Sequence, residues 1–246
     1  MIKLISIVAA ATATVGLAVS AHAAETTITA VHSLQRTNTT LQSFLKTFVE
    51  PVNADGKGLV QIKFLGGQEI GPPRKMAKML SRGQFDMLGS PTAYYLGLVP
   101  EGRTLQVANQ GPHALRKNGG WALLQKIYKK KAKSHLLAWG NNRTSYLMYL
   151  AFKPKLDADG VPDLTGIKMR ATGTYRPLFR ALGASTINIK GSEVYTAMQR
   201  GTVKGFGFPA VGTVPNGFHK VAEYRVTPHY YQTNEVVTVN LEVWAG

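Results

Sequence analysis

The chain has 246 residues, 44% hydrophobic and 17% charged, which excludes a disordered or fibrous protein and suffices for one large or two small packed domains. Its 29 lysines and arginines against 13 acids leave a formal charge of +16, a field that attracts anions without dictating a fold. Cysteine is absent, which removes disulfides, thiolate metal sites, iron–sulfur clusters and cysteine nucleophiles, so any chemistry rests on oxygen and nitrogen.

Residues 1–23 read as a cleavable export signal. Lys3 supplies a basic start, Ile5 to Val19 an apolar Ala-rich run, and Ala21-His22-Ala23 the small-x-small pattern of a cleavage site. Removing Lys3 with the signal takes the charge from +16 to +15 and sends the mature chain to the periplasm. No later stretch reaches the roughly 18 uninterrupted apolar residues of a membrane span.

Thr26 to His32 alternates and is β-rich, so it predicts a first strand. Thr37 and Asn38 are capping candidates for a helix carrying Leu41, Phe44, Leu45, Phe48 and Val49 on one face, with Pro51 as its stop. Asp55 to Gly58 predicts a turn and Leu59 to Leu65 a strand. Gly71-Pro72-Pro73 opens a helix through Leu80, and Phe85 to Gly89 is a short apolar strand. This β–α–β–α–β order implies a mostly parallel sheet with helices on its faces. Gly119 to Lys133 predicts a helix, Ser134 to Trp139 a strand, and Tyr146 to Phe152 and Val236 to Leu241 two further apolar strands. Between those two lies a second α/β unit. Its strands are Gly166 to Arg170, Ser185 to Ile189 and Thr202 to Gly207. Its helices are Tyr175 to Leu182, closed by Gly183 as a left-handed cap, and Ser192 to Arg200.

Several patterns invite chemistry and are better explained without it. Lys126, Lys129, Lys130, Lys131 and Lys133 suggest phosphate neutralisation, but no aromatics interleave them, so a solvated helix end is the plainer reading and no nucleic-acid partner is expected. Gly205-Phe206-Gly207-Phe208-Pro209-Ala210 has the glycine spacing of a dinucleotide turn but lies late in the chain and lacks the acidic residue about 20 positions on. Ser43-Phe44-Leu45-Lys46 fits a serine–lysine pair without its companion sequences. The mature histidines His32, His113, His135, His219 and His229 include no i, i+4 pair for a metal. Arg170 is different. It ends a predicted strand just before a turn into a helix, where open α/β sheets bind ligands, and its planar fork matches a carboxylate.

Asp163-Leu164-Thr165-Gly166-Ile167-Lys168-Met169-Arg170, then Leu182-Gly183-Ala184, then Glu193 to Gly205 occur in an order and spacing that resembles the solute-binding proteins of tripartite ATP-independent periplasmic (TRAP) transporters, the DctP family. Weaker similarity runs through Gly66 to Gly71, Gly83 to Met87, Asn240 and Trp244. The resemblance implies a two-lobed periplasmic-binding fold of type II-like α/β architecture, whose hinge strands let a cleft close on a small organic acid. It also implies transfer of that acid to membrane subunits of a TRAP transporter, and that Arg170 grips its carboxylate. Lobe I is expected at 24–147 plus 235–246 and lobe II at 148–234. Family members usually continue several helices beyond the tryptophan matched by Trp244, so the chain reads as truncated or a fragment.

Departures from the family bear on the ligand. Lys204 replaces a usual aspartate, and Phe208 stands where a polar side chain commonly touches ligand, which favours an apolar or ring-bearing body unless the ring turns into the core. Gly191 replaces a bulkier residue and enlarges the pocket. From strand ends facing the crevice, Gln35, Arg36, Ser90, Pro91 and Tyr94 are further candidates. Arg143 is a second cation, and Tyr175 could stack on or cap the ligand. The expectation is a non-catalytic binding protein with no cofactor and no metal. The competing readings are an exported hydrolase with an unrecognised triad and a surface polyanion-binding module.

Overall fold

The structure, a computed structural model, describes residues 24–246 apart from the side chains of residues 141–143 and 233; the expected signal peptide at 1–23 lies outside the described residues. β1 (Thr26–His32) leads to α1 (Thr39–Phe44), whose first turn is capped by Asn38, with Oδ1 accepting from the Thr40 N–H at 2.9 Å. Pro51 does not end this helix. The chain passes through a π-helical turn (Leu45–Val49) into α2 (Glu50–Asp55), with Pro51 in its first turn. The wider π turn just ahead of the proline relieves the clash of its ring with preceding carbonyls.

β2 (Val60–Gly66) pairs parallel with β1, and a 3₁₀ turn (Pro73–Lys75) and α3 (Met76–Leu80) return the chain to β3 (Met87–Ser90), also parallel to β1. Three helices follow: α4 (Thr104–Val107), α5 (Pro112–Lys117) and α6 (Gly120–Ala132). Then comes β4 (Ser134–Leu150), one strand of 17 residues where the sequence suggested two. Its polar middle reads locally as a loop. It is held extended because β10 (Tyr224–Asn240), also 17 residues, pairs antiparallel along it. At about 3.3 Å per residue each strand reaches some 50 Å.

Between these long strands come a small hairpin of β5 (Lys155–Leu156) with β6 (Pro162–Asp163), then β7 (Lys168–Arg170), α7 (Arg176–Ala181), β8 (Ser185–Ile187), α8 (Val194–Gln199) and β9 (Gly205–Pro209). After β10 the chain ends in α9 (Leu241–Ala245). A single eight-stranded sheet results, in the order β2-β1-β3-β10-β4-β9-β7-β8. Val236–Val239 of β10 pair with β3, and Tyr146–Leu150 of β4 pair with β9. Two α/β layers therefore share one sheet, with β4 and β10 running through both.

Helices cover both faces of each layer. In the first, Trp121, Leu124 and Tyr128 of α6 pack on Val31, Leu88, Leu136 and Val236, while Phe44 and Val49 pack on Ala30, Ile62, Met87 and Val237 from the other side. In the second, alternation along β4 sends Tyr146, Met148 and Leu150 toward Phe179 of α7, and Leu147 and Tyr149 toward Val194, Ala197 and Met198 of α8. No helix among the described residues is long and apolar enough to cross a membrane.

Candidate functional site

In both layers the carboxyl ends of the parallel strands open on one cavity. Leu34 and Gln35 follow β1, Gln68 follows β2, and Pro91, Ala93 and Tyr94 follow β3; from the second layer come Arg170, Thr172, Gly191, Ser192, Phe208 and Pro209. This is where an open α/β sheet accepts a ligand, here offered twice, face to face. The cavity measures about 110 Å³. This is below the roughly 150 Å³ of an engineered apolar cavity that takes up benzene, so the space suits only a compact small molecule.

Arg170 is 4% exposed. Its Nε donates to the Ile189 carbonyl at 3.0 Å, and its Nη1 donates to the Tyr175 hydroxyl at 2.6 Å and to the Gly207 carbonyl at 3.0 Å. Tyr175 in turn donates to the same Gly207 carbonyl at 3.0 Å. These acceptors fix the side chain without neutralising it. Among the described residues Arg170 has no carboxylate within ion-pair distance. Burial opposes its charge, but the oxygens of Tyr175 and Tyr146 outweigh this and hold its pKa above the ordinary value. Burial also raises Tyr94, Tyr146 and Tyr231, so the cavity is walled by neutral phenols.

Gly207 makes this arrangement possible. A Cβ there would come within 2.7 Å of the Tyr175 ring and would overlap the Tyr230 hydroxyl. The glycine spacing of Gly205-Phe206-Gly207 thus serves close side-chain packing along β9, which accounts for a dinucleotide-like pattern without a dinucleotide.

The opposite wall comes from β10. Asn234 and Glu235 are consecutive, yet both line the cavity, whereas neighbours in a regular strand face opposite ways. The pairing of β10 with β4 shifts register between Thr233 and Glu235, and this bulge re-aims the side chains. Asn234 Oδ1 accepts from the Thr92 hydroxyl at 2.7 Å and its N–H at 3.3 Å, while Nδ2 is buried without a partner. Glu235 Oε1 is bonded to His32 Nε2, and His32 Nδ1 accepts from the Leu34 N–H at 3.1 Å. Both ring nitrogens of His32 are thus engaged, and neither faces Ser33 or Ser90 as a base would.

Of the residues singled out from sequence, Arg170, Phe208, Gln35, Pro91 and Tyr94 line the cavity together. Tyr175 is 2% exposed and stands behind the guanidinium rather than in the wall. Ser90 is buried and bonded to Ser33 Oγ at 2.8 Å. Arg36 points away, its side chain 58% exposed and paired with Glu69 at 2.7 Å, because Glu69 lies on the neighbouring loop. Arg143 lies on β4, with its side chain outside the described residues. Phe208 is both cavity wall and core: its ring packs on Phe218 at 4.8 Å between centroids. Gly191 also lines the cavity, and a Cβ there would meet the Phe208 ring at 3.7 Å. Sequence reasoning missed Tyr146, Tyr231, Asn234 and Glu235. Tyr146 read as strand core, Tyr231 fell outside every predicted strand, and the bulge leaves no compositional mark.

Residues 30–246 match the family DctP, described as bacterial extracellular solute-binding protein, family 7, and the chain belongs to that family. A monocarboxylate 2-oxoacid-binding periplasmic protein of Nostoc sp. is 26% identical over 201 residues, which are 76% of this chain and 52% of that protein. The chain therefore spans about half the length of this curated relative. A TRAP transporter solute-binding protein of Bordetella bronchiseptica, described with copurified calcium and picolinate, superposes with a TM-score of 0.76 at 19% identity, covering 91% of this chain and 68% of that one. A Bordetella pertussis extracytoplasmic solute receptor binding pyroglutamic acid gives 0.72 at 17%, covering 89% and 72%. At such identities the likeness speaks for the fold, which is the two-lobed α/β fold of these proteins.

Proposed function

We propose that the chain is the solute-binding component of a TRAP transporter, working in the periplasm: it captures a small organic acid between its lobes and hands it to membrane subunits. The observation that carries this reading is Arg170, a buried guanidinium in the cavity wall with no carboxylate partner among the described residues. An uncompensated buried charge is costly, and a ligand carboxylate supplies the missing partner through charge-assisted bonds.

Lobe I is taken as 24–147 with 235–246 and lobe II as 148–234, with β4 and β10 as the hinge. Ligand held by Arg170 in lobe II shifts the open–closed equilibrium through contacts to lobe I, from Gln35, Pro91 and Tyr94, that exist only when the cleft is shut. Arg74 Nη2 already donates to Asn188 Oδ1 at 3.0 Å across the lobes. Tyr175 is a positioning residue, acting on the ligand through Arg170. The family is one of binding proteins, and the engaged ring of His32 supplies no base for a hydrolytic serine.

Native mass spectrometry of gently purified protein tests the reading. A retained small acid, or stabilisation by members of a carboxylate panel with none by matched neutral amides, is expected. Equal response to acids and amides contradicts it.

A further inference from the structure

Arg170 and Glu235 are the charged side chains in the cavity wall among the described residues, and they have opposite signs. Resting on the carboxylate role of Arg170 above, we propose that the site selects a monocarboxylate bearing a hydroxyl or amide at its other end, and that Glu235 with Asn234 rejects dicarboxylates.

The argument is one of complementary groups. His32 occupies Glu235 Oε1, which leaves Oε2 as an acceptor on a residue that lines the cavity. The next residue holds its amide oxygen on Thr92, which leaves Nδ2 as a buried donor without a partner. The donor and the acceptor stand on adjacent residues that both line the cavity, next to the register shift of β10. A hydroxyl or an amide group can both donate and accept, so it satisfies the pair. A methyl group leaves both unsatisfied. A second carboxylate brings only acceptors, and its charge meets that of Glu235 in a low-dielectric pocket. Tyr94, Tyr146, Tyr231 and Phe208 line the space between the two ends, favouring an apolar or ring-bearing body.

The test uses acids that differ only at the far end: butyrate, 4-hydroxybutyrate and succinate, with the five-carbon counterparts valerate, 5-hydroxyvalerate and glutarate. Affinities are measured by calorimetry in buffer containing EDTA, so that no divalent cation masks Glu235. In at least one series the hydroxy acid binds tenfold or more tighter than the plain acid, and the dicarboxylate is the weakest of the three. Glu235→Gln keeps an acceptor for His32 and narrows the gap between hydroxy acid and dicarboxylate at least tenfold. A dicarboxylate that binds as tightly as the hydroxy acid in both series overturns the proposal, as does a gap that Glu235→Gln leaves unchanged. Should that variant not fold, the wild-type ranking decides alone. Failure of the Arg170 reading looks different: none of the six acids binds, or all bind equally well to Arg170→Ala.

Discussion

The Arg170 guanidinium donates three bonds to acceptors of its own lobe, and one acceptor, the Gly207 carbonyl, is shared with Tyr175. That sharing makes Tyr175 the residue that sets the height and tilt of the fork. Tyr175→Phe removes no packing but two hydrogen bonds, a charge-assisted one from the guanidinium at about 1.5–3 kcal/mol and a neutral one to the Gly207 carbonyl at about 0.5–1.5 kcal/mol. Calorimetry is expected to show roughly tenfold weaker carboxylate binding with an unaltered far-ultraviolet spectrum, and unchanged affinity would show that the ring merely fills space. Arg170 was legible at this scale because strand end, turn and residue type coincide in the sequence. Glu235 was not, since a lone acid between a polar stretch and a strand carries no local sign of facing a cavity.

At the scale of elements, the β–α–β–α–β order, the Gly183 cap with φ of +89° and the Asn38 cap were all readable, because each is set by residues close in sequence. The long strands were not. Gly140 to Ser145 is held in β4 by its partner strand, an interaction between segments some 90 residues apart. Two substitutions probe elements directly. Gly207→Ala puts a methyl against the Tyr175 ring within β9, and overpacking of this kind costs about 1–3 kcal/mol, so the melting temperature is expected to fall by several degrees. Asn240 donates to the Leu80 carbonyl at 2.8 Å and caps α9 by accepting from the Glu242 N–H at 2.9 Å. Asn240→Ala loses both, about 1–3 kcal/mol together, which urea unfolding should show as a lower midpoint at constant slope. In the same variant the Trp244 ring, stacked on His135 at 3.7 Å between centroids, should show altered fluorescence, because α9 has lost its anchor.

For the whole molecule, the sheet sets the frame: two layers present the carboxyl ends of their strands to one cavity, and two long strands, the hinge of the proposed function, run through both. The surplus of positive charge adds a long-range pull on anions, while the grip we propose is a short-range matter of one desolvated guanidinium. Phosphate contacts would make binding fall steeply with salt, whereas one buried pair in a closed cleft responds weakly. Calorimetric titration of wild type and Arg170→Ala with the tightest-binding carboxylate is the most direct measurement. Removing one partner of a buried, hydrogen-bonded charge pair costs about 2–5 kcal/mol, so affinity should fall at least roughly thirtyfold, with Arg170→Lys only partly restoring it. Equal dissociation constants for wild type and Arg170→Ala would contradict the account.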